Sequence, residues 1–311
     1  MSGKGNSIRA IFFALGANFA IFVAKLSAAL TTGSGAMLAE AVHSLADCGN
    51  QVLLLFGIRQ AGKPATAEHP LGHGKAIYFW SFLVALMLFS VGGMFSVYEG
   101  WHKLSSSEPL RSPWIAIGVL VFSIVVEGIS MRACLVEVNK VRGKRSLWHW
   151  FRNSRQVELV VIFGEDLAAL VGLVLALFAV GLTMWTGNPL WDAIGTLAIG
   201  ALLIIVAILI SIEVKSMLIG QSVDPQLSRD LRGFLEERPE IDELYNLITL
   251  QLGNDVMVSI KARMRGEESA IGLIGQINAI EHELKQRFPE VRFSFFEPDV
   301  DDANHVEIVV Q

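Results

Sequence analysis

Long apolar stretches separated by short polar turns occupy residues 8–31, 35–58, 76–100, 113–134, 157–185 and 190–212. Each is long enough to cross a bilayer as a helix, since about 20 residues span the hydrocarbon core. From Lys215 the pattern changes to that of a water-soluble unit. Asp224-Pro225 reads as the start of a helix that ends near Arg238-Pro239. Apolar and polar residues then alternate on either side of Gly253-Asn254-Asp255, which predicts a β-hairpin. Ile274, Ile277, Ile280 and Leu284 fall on one helical face, and VRFSFF and HVEIVV supply one or two short strands. The expected fold class is an α-helical membrane protein with six transmembrane helices plus a small cytoplasmic α+β domain of order α-β-β-α-β. The transmembrane domain covers residues 1–214 and the cytoplasmic one residues 215–311. The tail would hold one helical layer on a sheet, whose free face is a natural surface for a homodimer.

Composition supports the membrane reading. The chain is 52% hydrophobic and 18% charged, against about 25% charged in soluble domains. The formal net charge of −5 hides an uneven spread, with acids gathered in the last segment and bases in short loops. No domain is basic, which excludes a nucleic-acid partner. Cys48 and Cys134 both fall in apolar segments and form neither a disulfide framework nor a metal-ligand spacing. The start MSGKGNS leads into an apolar run without a small-residue cleavage site, so a retained first span is expected and not a signal peptide. Lys140, Arg142, Lys144, Arg145, Arg152 and Arg155 crowd the loop after the fourth span, and Arg59, Lys63 and Lys75 lie in the loop after the second. The opposite loops hold only Lys103 and Arg111. Under the positive-inside rule both termini are cytoplasmic, in a multi-pass protein of the cell membrane.

Against that apolar background a few polar residues stand out. His43 and Asp47 sit in the middle of the second span at i, i+4, on one face, and Asn50 continues the stripe. An ionisable side chain inside a spanning helix costs on the order of 2–3 kcal/mol or more, so it faces a bundle interior or a wet cavity. Imidazole and carboxylate together suit Zn²⁺ or a similar ion; the alternative is a buried His–Asp bond that pins two helices. Glu165-Asp166 lies deep in the fifth span, followed by Ala168, Ala169 and Gly172. Two carboxylates at that depth point the same way, to a cation site between two helices. Asn18 would line the cavity of His43 or bond between helices, and the role of Lys25 is left open. Glu127 and Arg132 in the fourth span are expected to pair within the bundle. His69 and His73 are also at i, i+4, but Pro70, Gly72 and Gly74 argue against a helix that would align them.

The stretch SGAMLAEAVHSLAD, the loop HPLGHGKA, the six spans and the α-β-β-α-β tail together resemble the cation diffusion facilitator family of divalent-cation/proton antiporters. The resemblance covers nearly the whole chain. It implies a homodimer, V- or Y-shaped, with packed cytoplasmic tails, exporting Zn²⁺ or a related ion against protons across the lipid bilayer. Zn²⁺ is then substrate, and no cofactor is expected. By position His43, Asp47 and Asp166 match the family's ligands. The family usually has His or Asp four residues before that aspartate, where this chain has Ile162. Glu165 is the available substitute, although adjacent residues stand about 100° apart on a helix. The Glu-Asp pair is similar to a branch that includes mitochondrial zinc transporters of animals. His69 and His73 match the family's loop ligands for a second Zn²⁺ in residues 66–75, with Thr66 where an acid often stands. The tail has only His282 and His305, with Asp301 and Asp302 beside the latter, a sparse set for metal sensing. Mn²⁺, Fe²⁺ or Co²⁺ is the rival substrate, because carboxylates are harder ligands than imidazole. An enzyme is not expected: an intramembrane metallohydrolase needs H-E-x-x-H or its equivalent, which AEAVHSLAD does not supply.

Overall fold

The computed structural model describes residues 3–105, 110–266 and 269–301, with the side chains of residues 3–14 and 17 left aside. Helix α1 runs Gly3–Thr32 and α2 Gly35–Ala61. Gly33, at φ +72°, makes the turn between them in a region closed to most side chains. Helix α3 (Ala76–Met87) continues through a π-helical turn, Leu88–Met94, into α4 (Phe95–Leu104). The π-turn contains Gly92 and Gly93. Helix α5 spans Pro113–Arg142, α6 Leu147–Asn153, α7 Val157–Thr186 and α8 Leu190–Ile219.

Five spans among the described residues are long and apolar enough to cross a membrane: Gly35–Ala61, Ala76–Leu104, Pro113–Arg142, Val157–Thr186 and Leu190–Ile219. A shorter apolar stretch, Asn18–Thr32, belongs to α1. Small residues let α4 and α8 touch backbone to backbone. A Cβ on Gly100 would stand 2.9 Å from the Leu197 nitrogen, and one on Gly200 2.8 Å from the Val97 nitrogen. The basic stretch after the fourth span is more ordered than its charge suggests. Helix α5 continues to Arg142 and α6 follows, burying Trp150 and Phe151 against Phe163 of α7 at centroid distances of 5.7 and 6.3 Å. Arg152 of α6 pairs with Glu213 of α8 at 2.7 Å.

The chain forms two compact units. One comprises Met1–Arg59, Ile77–Arg152 and Val157–Lys215; the other comprises Gln60–Ala76, Asn153–Gln156 and Ser216–Gln311. In the second unit, α9 (Pro225–Glu236) is capped by Asp224, whose carboxylate accepts from the Gln226 N–H at 2.9 Å. Strands β1 (Ile241–Leu252) and β2 (Asp255–Met264) are antiparallel about Gly253, at φ +70°. Helix α10 (Ala270–Arg287), capped by Ser269, crosses over to β3 (Val291–Pro298), which runs parallel to β2 in the order β1-β2-β3. Val256, Val258, Ile260 and Ala262 alternate along β2 onto one face and pack with Leu231, Leu235, Ile280 and Leu284. Ile248 and Phe295 are exposed on the opposite face, across Ser259. The stretch HVEIVV lies outside the described residues, as do Asp302 and His305.

Candidate cation site in the membrane

Helix α2 carries a polar stripe whose members sit in different surroundings. Near the start of α2, Lys25 of α1 is fully buried, and its ammonium donates to Glu40 Oε2 at 3.1 Å and to Ser44 Oγ at 2.9 Å. Gly172 of α7 leaves the room that Glu40 needs, since a Cβ there would stand 2.5 Å from Glu40 Oε1. That oxygen has no hydrogen-bond partner among the described residues. One helical turn on, His43 is buried, and neither ring nitrogen makes a hydrogen bond among the described residues. Its Nδ1 stands 3.7 Å from Asp47 Oδ1, an ion-pair separation too long for a hydrogen bond. Lys25, whose role the sequence leaves open, has its charge neutralised inside the bundle by Glu40. The His–Asp contact does not close into a pinning bond.

Beyond Asp47 the stripe opens into a cavity of about 270 Å³ between α1, α2, α5 and α7. Asp47 and Gln51 line it from α2, Asn18 from α1, Glu127 and Ser130 from α5. Helix α7 contributes Glu158, Ile162, Glu165 and Asp166. Such a volume admits a cation with several waters, each of about 30 Å³. Asn18 thus shares the cavity with Asp47, while His43 lies outside its lining. Both carboxylates of the Glu165-Asp166 pair reach it. Glu165 accepts a hydrogen bond from Asn50 Nδ2, and Asp166 Oδ2 accepts one from Ser130 Oγ at 3.3 Å. The 100° between neighbours is bridged because the cavity spans the seam between α5 and α2, one facing each side chain. Among the described residues no three His, Cys, Asp or Glu side chains stand close enough to hold a metal ion as they are oriented.

The expected Glu127–Arg132 pair is absent. Five residues are about 140° apart on a helix, so Glu127 turns into the cavity and Arg132 is exposed. Asp192 is a further residue that sequence reasoning passed over. It is buried at the first turn of α8 and accepts from Ser34 Oγ at 2.5 Å and from the Gly35 N–H at 2.7 Å. It therefore caps α2 from another helix, and Lys103 pairs with it at 3.2 Å. The one sequence signal was an acid in the first turn of an otherwise apolar helix.

In the other unit, His69 and His73 come together with ring centroids 4.4 Å apart. No helix aligns them. A tight turn does, with Thr66 and His69 exchanging backbone N–H···O bonds at 3.1 Å each. His73 Nδ1 stands 3.2 Å from the Pro64 carbonyl, which orients the ring. Gly74 is required at that point, because a Cβ would collide with the Leu252 carbonyl oxygen of the hairpin tip. His282 is exposed, with Gln286 Nε2 2.8 Å from its Nε2, and Asp301 is exposed at the end of the described tail.

Comparison with known proteins agrees with the helical framework. The family model described as the cation efflux transmembrane domain matches residues 11–219. The "Proton-coupled zinc antiporter SLC30A9, mitochondrial" of Xenopus laevis is 30% identical over 94% of this chain and 59% of its own length. "Metal tolerance protein C4" of Arabidopsis thaliana is 31% identical over 78% of this chain and 53% of its own. The "Cation-efflux pump FieF" of Yersinia pestis is 25% identical over 86% of this chain and 85% of its own. The chain thus spans little more than half the length of the frog and plant relatives. None of these three relatives is named as an enzyme. With its match across the membrane helices and its small α+β tail, this multi-pass membrane protein belongs to the cation diffusion facilitator family.

Proposed function

We propose that this protein exports a divalent transition-metal cation, Zn²⁺ first among them, in exchange for protons. Five carboxylates lining one intramembrane cavity support the reading most directly, because acids clustered at that depth mark a cation or proton path by default. His43, Asp47 and Asp166 are the core ligands, and Glu165, held by Asn50, or a water completes the shell. The names of the frog and plant relatives point to zinc and metal tolerance. The weight of carboxylate in the lining favours a second reading, with Mn²⁺, Fe²⁺ or Co²⁺ as the cation.

The proposed mechanism follows from the ligands. Metal binding requires neutral imidazole and ionised carboxylates, so protons compete with metal for the same atoms. His43 is the group of the set whose ordinary protonation change falls near neutral pH. A proton arriving from the far side would expel the cation, and rocking of the helices would alternate access to the site. The paired imidazoles of His69 and His73 would take a second Zn²⁺ in the loop, and the free sheet face of the tail would hold two copies together. Calorimetric titration of the purified protein with Zn²⁺, in buffers of different ionisation enthalpy, tests the competition. Proton release that vanishes in Asp166→Asn is expected; metal binding without proton release would overturn it.

A further inference from the structure

We infer that Glu127 of α5 is a direct cation ligand, so that the site is built from three helices and not two. The inference rests on the transport reading above and identifies a residue within it. Glu127 is 8% exposed, lines the cavity, and has no hydrogen bond or ion pair among the described residues. A buried carboxylate without a partner is costly, and neutralisation by a bound ion removes the cost. Three of the other carboxylates lining the cavity have a local explanation. Asn50 holds Glu165, and Ser130, one helical turn from Glu127, holds Asp166. Glu158 lies in the first turn of α7, where the helix dipole favours an acid. Ile162 also lines the cavity but offers no donor atom. Glu127 supplies from α5 the anionic ligand that Ile162 does not supply from α7.

A ligand set of Asp47, Asp166 and Glu127 is dominated by hard oxygen donors. Glu127 is thereby the residue that admits harder cations such as Mn²⁺ alongside Zn²⁺. Full-length protein in detergent, titrated separately with Zn²⁺ and Mn²⁺, tests this in wild type, Glu127→Gln, Glu127→Asp and Asp47→Asn. Glu127→Gln is expected to lose about tenfold or more in Mn²⁺ affinity, to lose less for Zn²⁺, and to melt no lower than wild type without metal. Glu127→Asp, which keeps the charge, should fall between. Unchanged affinity for both ions in Glu127→Gln, with loss in Asp47→Asn, would overturn this inference alone. A Glu127→Gln protein that unfolds would overturn it too, since it would mean the carboxylate has a structural partner. Unchanged affinity in Asp47→Asn would overturn the transport site itself.

Discussion

Asp192 and Gly35 are 157 residues apart, yet the carboxylate of one accepts the backbone N–H of the other at 2.7 Å. The bond fixes the start of α2 at the first turn of α8, and α2 carries Glu40, His43 and Asp47. Substitution Asp192→Ala removes a cap and leaves Lys103 without its carboxylate. A loss of about 1–2 kcal/mol is expected from the cap alone. Thermal unfolding in detergent should show a lower midpoint, and Asp192→Asn, which can still accept one bond, a smaller drop. Equal midpoints in wild type and Asp192→Ala would show that the cap carries no weight.

The Lys25–Glu40 pair is fully buried on both sides. Removing one member strands the other charge in the bundle, at a cost of about 3–5 kcal/mol, whereas removing both is close to neutral. Lys25→Met should therefore be poorly folded, and Lys25→Met with Glu40→Leu should recover most of the stability. Size-exclusion profiles and melting midpoints of the three proteins check it. A double variant no better than the single one would contradict the pairing.

Ile162 faces the cavity, so Ile162→His places an imidazole where the site has only a hydrocarbon wall. Zn²⁺ affinity should rise relative to Mn²⁺, because imidazole is the softer donor. In the same titrations Glu165→Gln should weaken metal binding, since it removes a charge at the cavity wall and changes what Asn50 holds. Wild-type affinity for both ions in Glu165→Gln would remove that residue from the ligand set.

The unit that holds the sheet should lose stability in acid. Arg238 holds the Glu283 carboxylate below its ordinary range through bonds of 2.5 and 3.0 Å, and Lys261 does the same for Asp299 at 2.9 Å. A lowered folded-state value gives stabilisation that is complete above the ordinary carboxylate range of about 4. It is lost as pH falls through the lowered value. Glu283 is exposed and Asp299 partly so, and the effect is small. Glu283→Gln should flatten the acid limb of an unfolding curve followed by a fluorophore in α10. An acid limb identical to wild type would dismiss the ion pair.

Much of this was readable in the sequence, for reasons that differ by residue. His43 and Asp47 announced themselves because charge is rare in lipid and i, i+4 spacing fixes a shared face. The tail was legible from period-two and helical alternation, with Asp224-Pro225 marking a start that the structure places at Pro225. Glu127 was misread because Arg132 is near in sequence but far round the helix. Asp192 and Lys25 were opaque because their partners lie on other helices, and no local pattern encodes a contact between α8 and α2. Helix α6 was hidden by its own charges, which mask the buried face of Trp150 and Phe151. His69 and His73 met through a turn that Pro70 and Gly72 made difficult to foresee.

Metal flux in proteoliposomes reads out proton-coupled export itself. Wild type, Asp47→Ala and Asp166→Asn are reconstituted with a Zn²⁺-sensitive dye on one side and an imposed pH difference. Zn²⁺ flux is expected in wild type, accelerated by an opposing proton gradient, and none above empty vesicles in either variant, with all three proteins folded in detergent. Undiminished, gradient-driven flux in Asp47→Ala would contradict it.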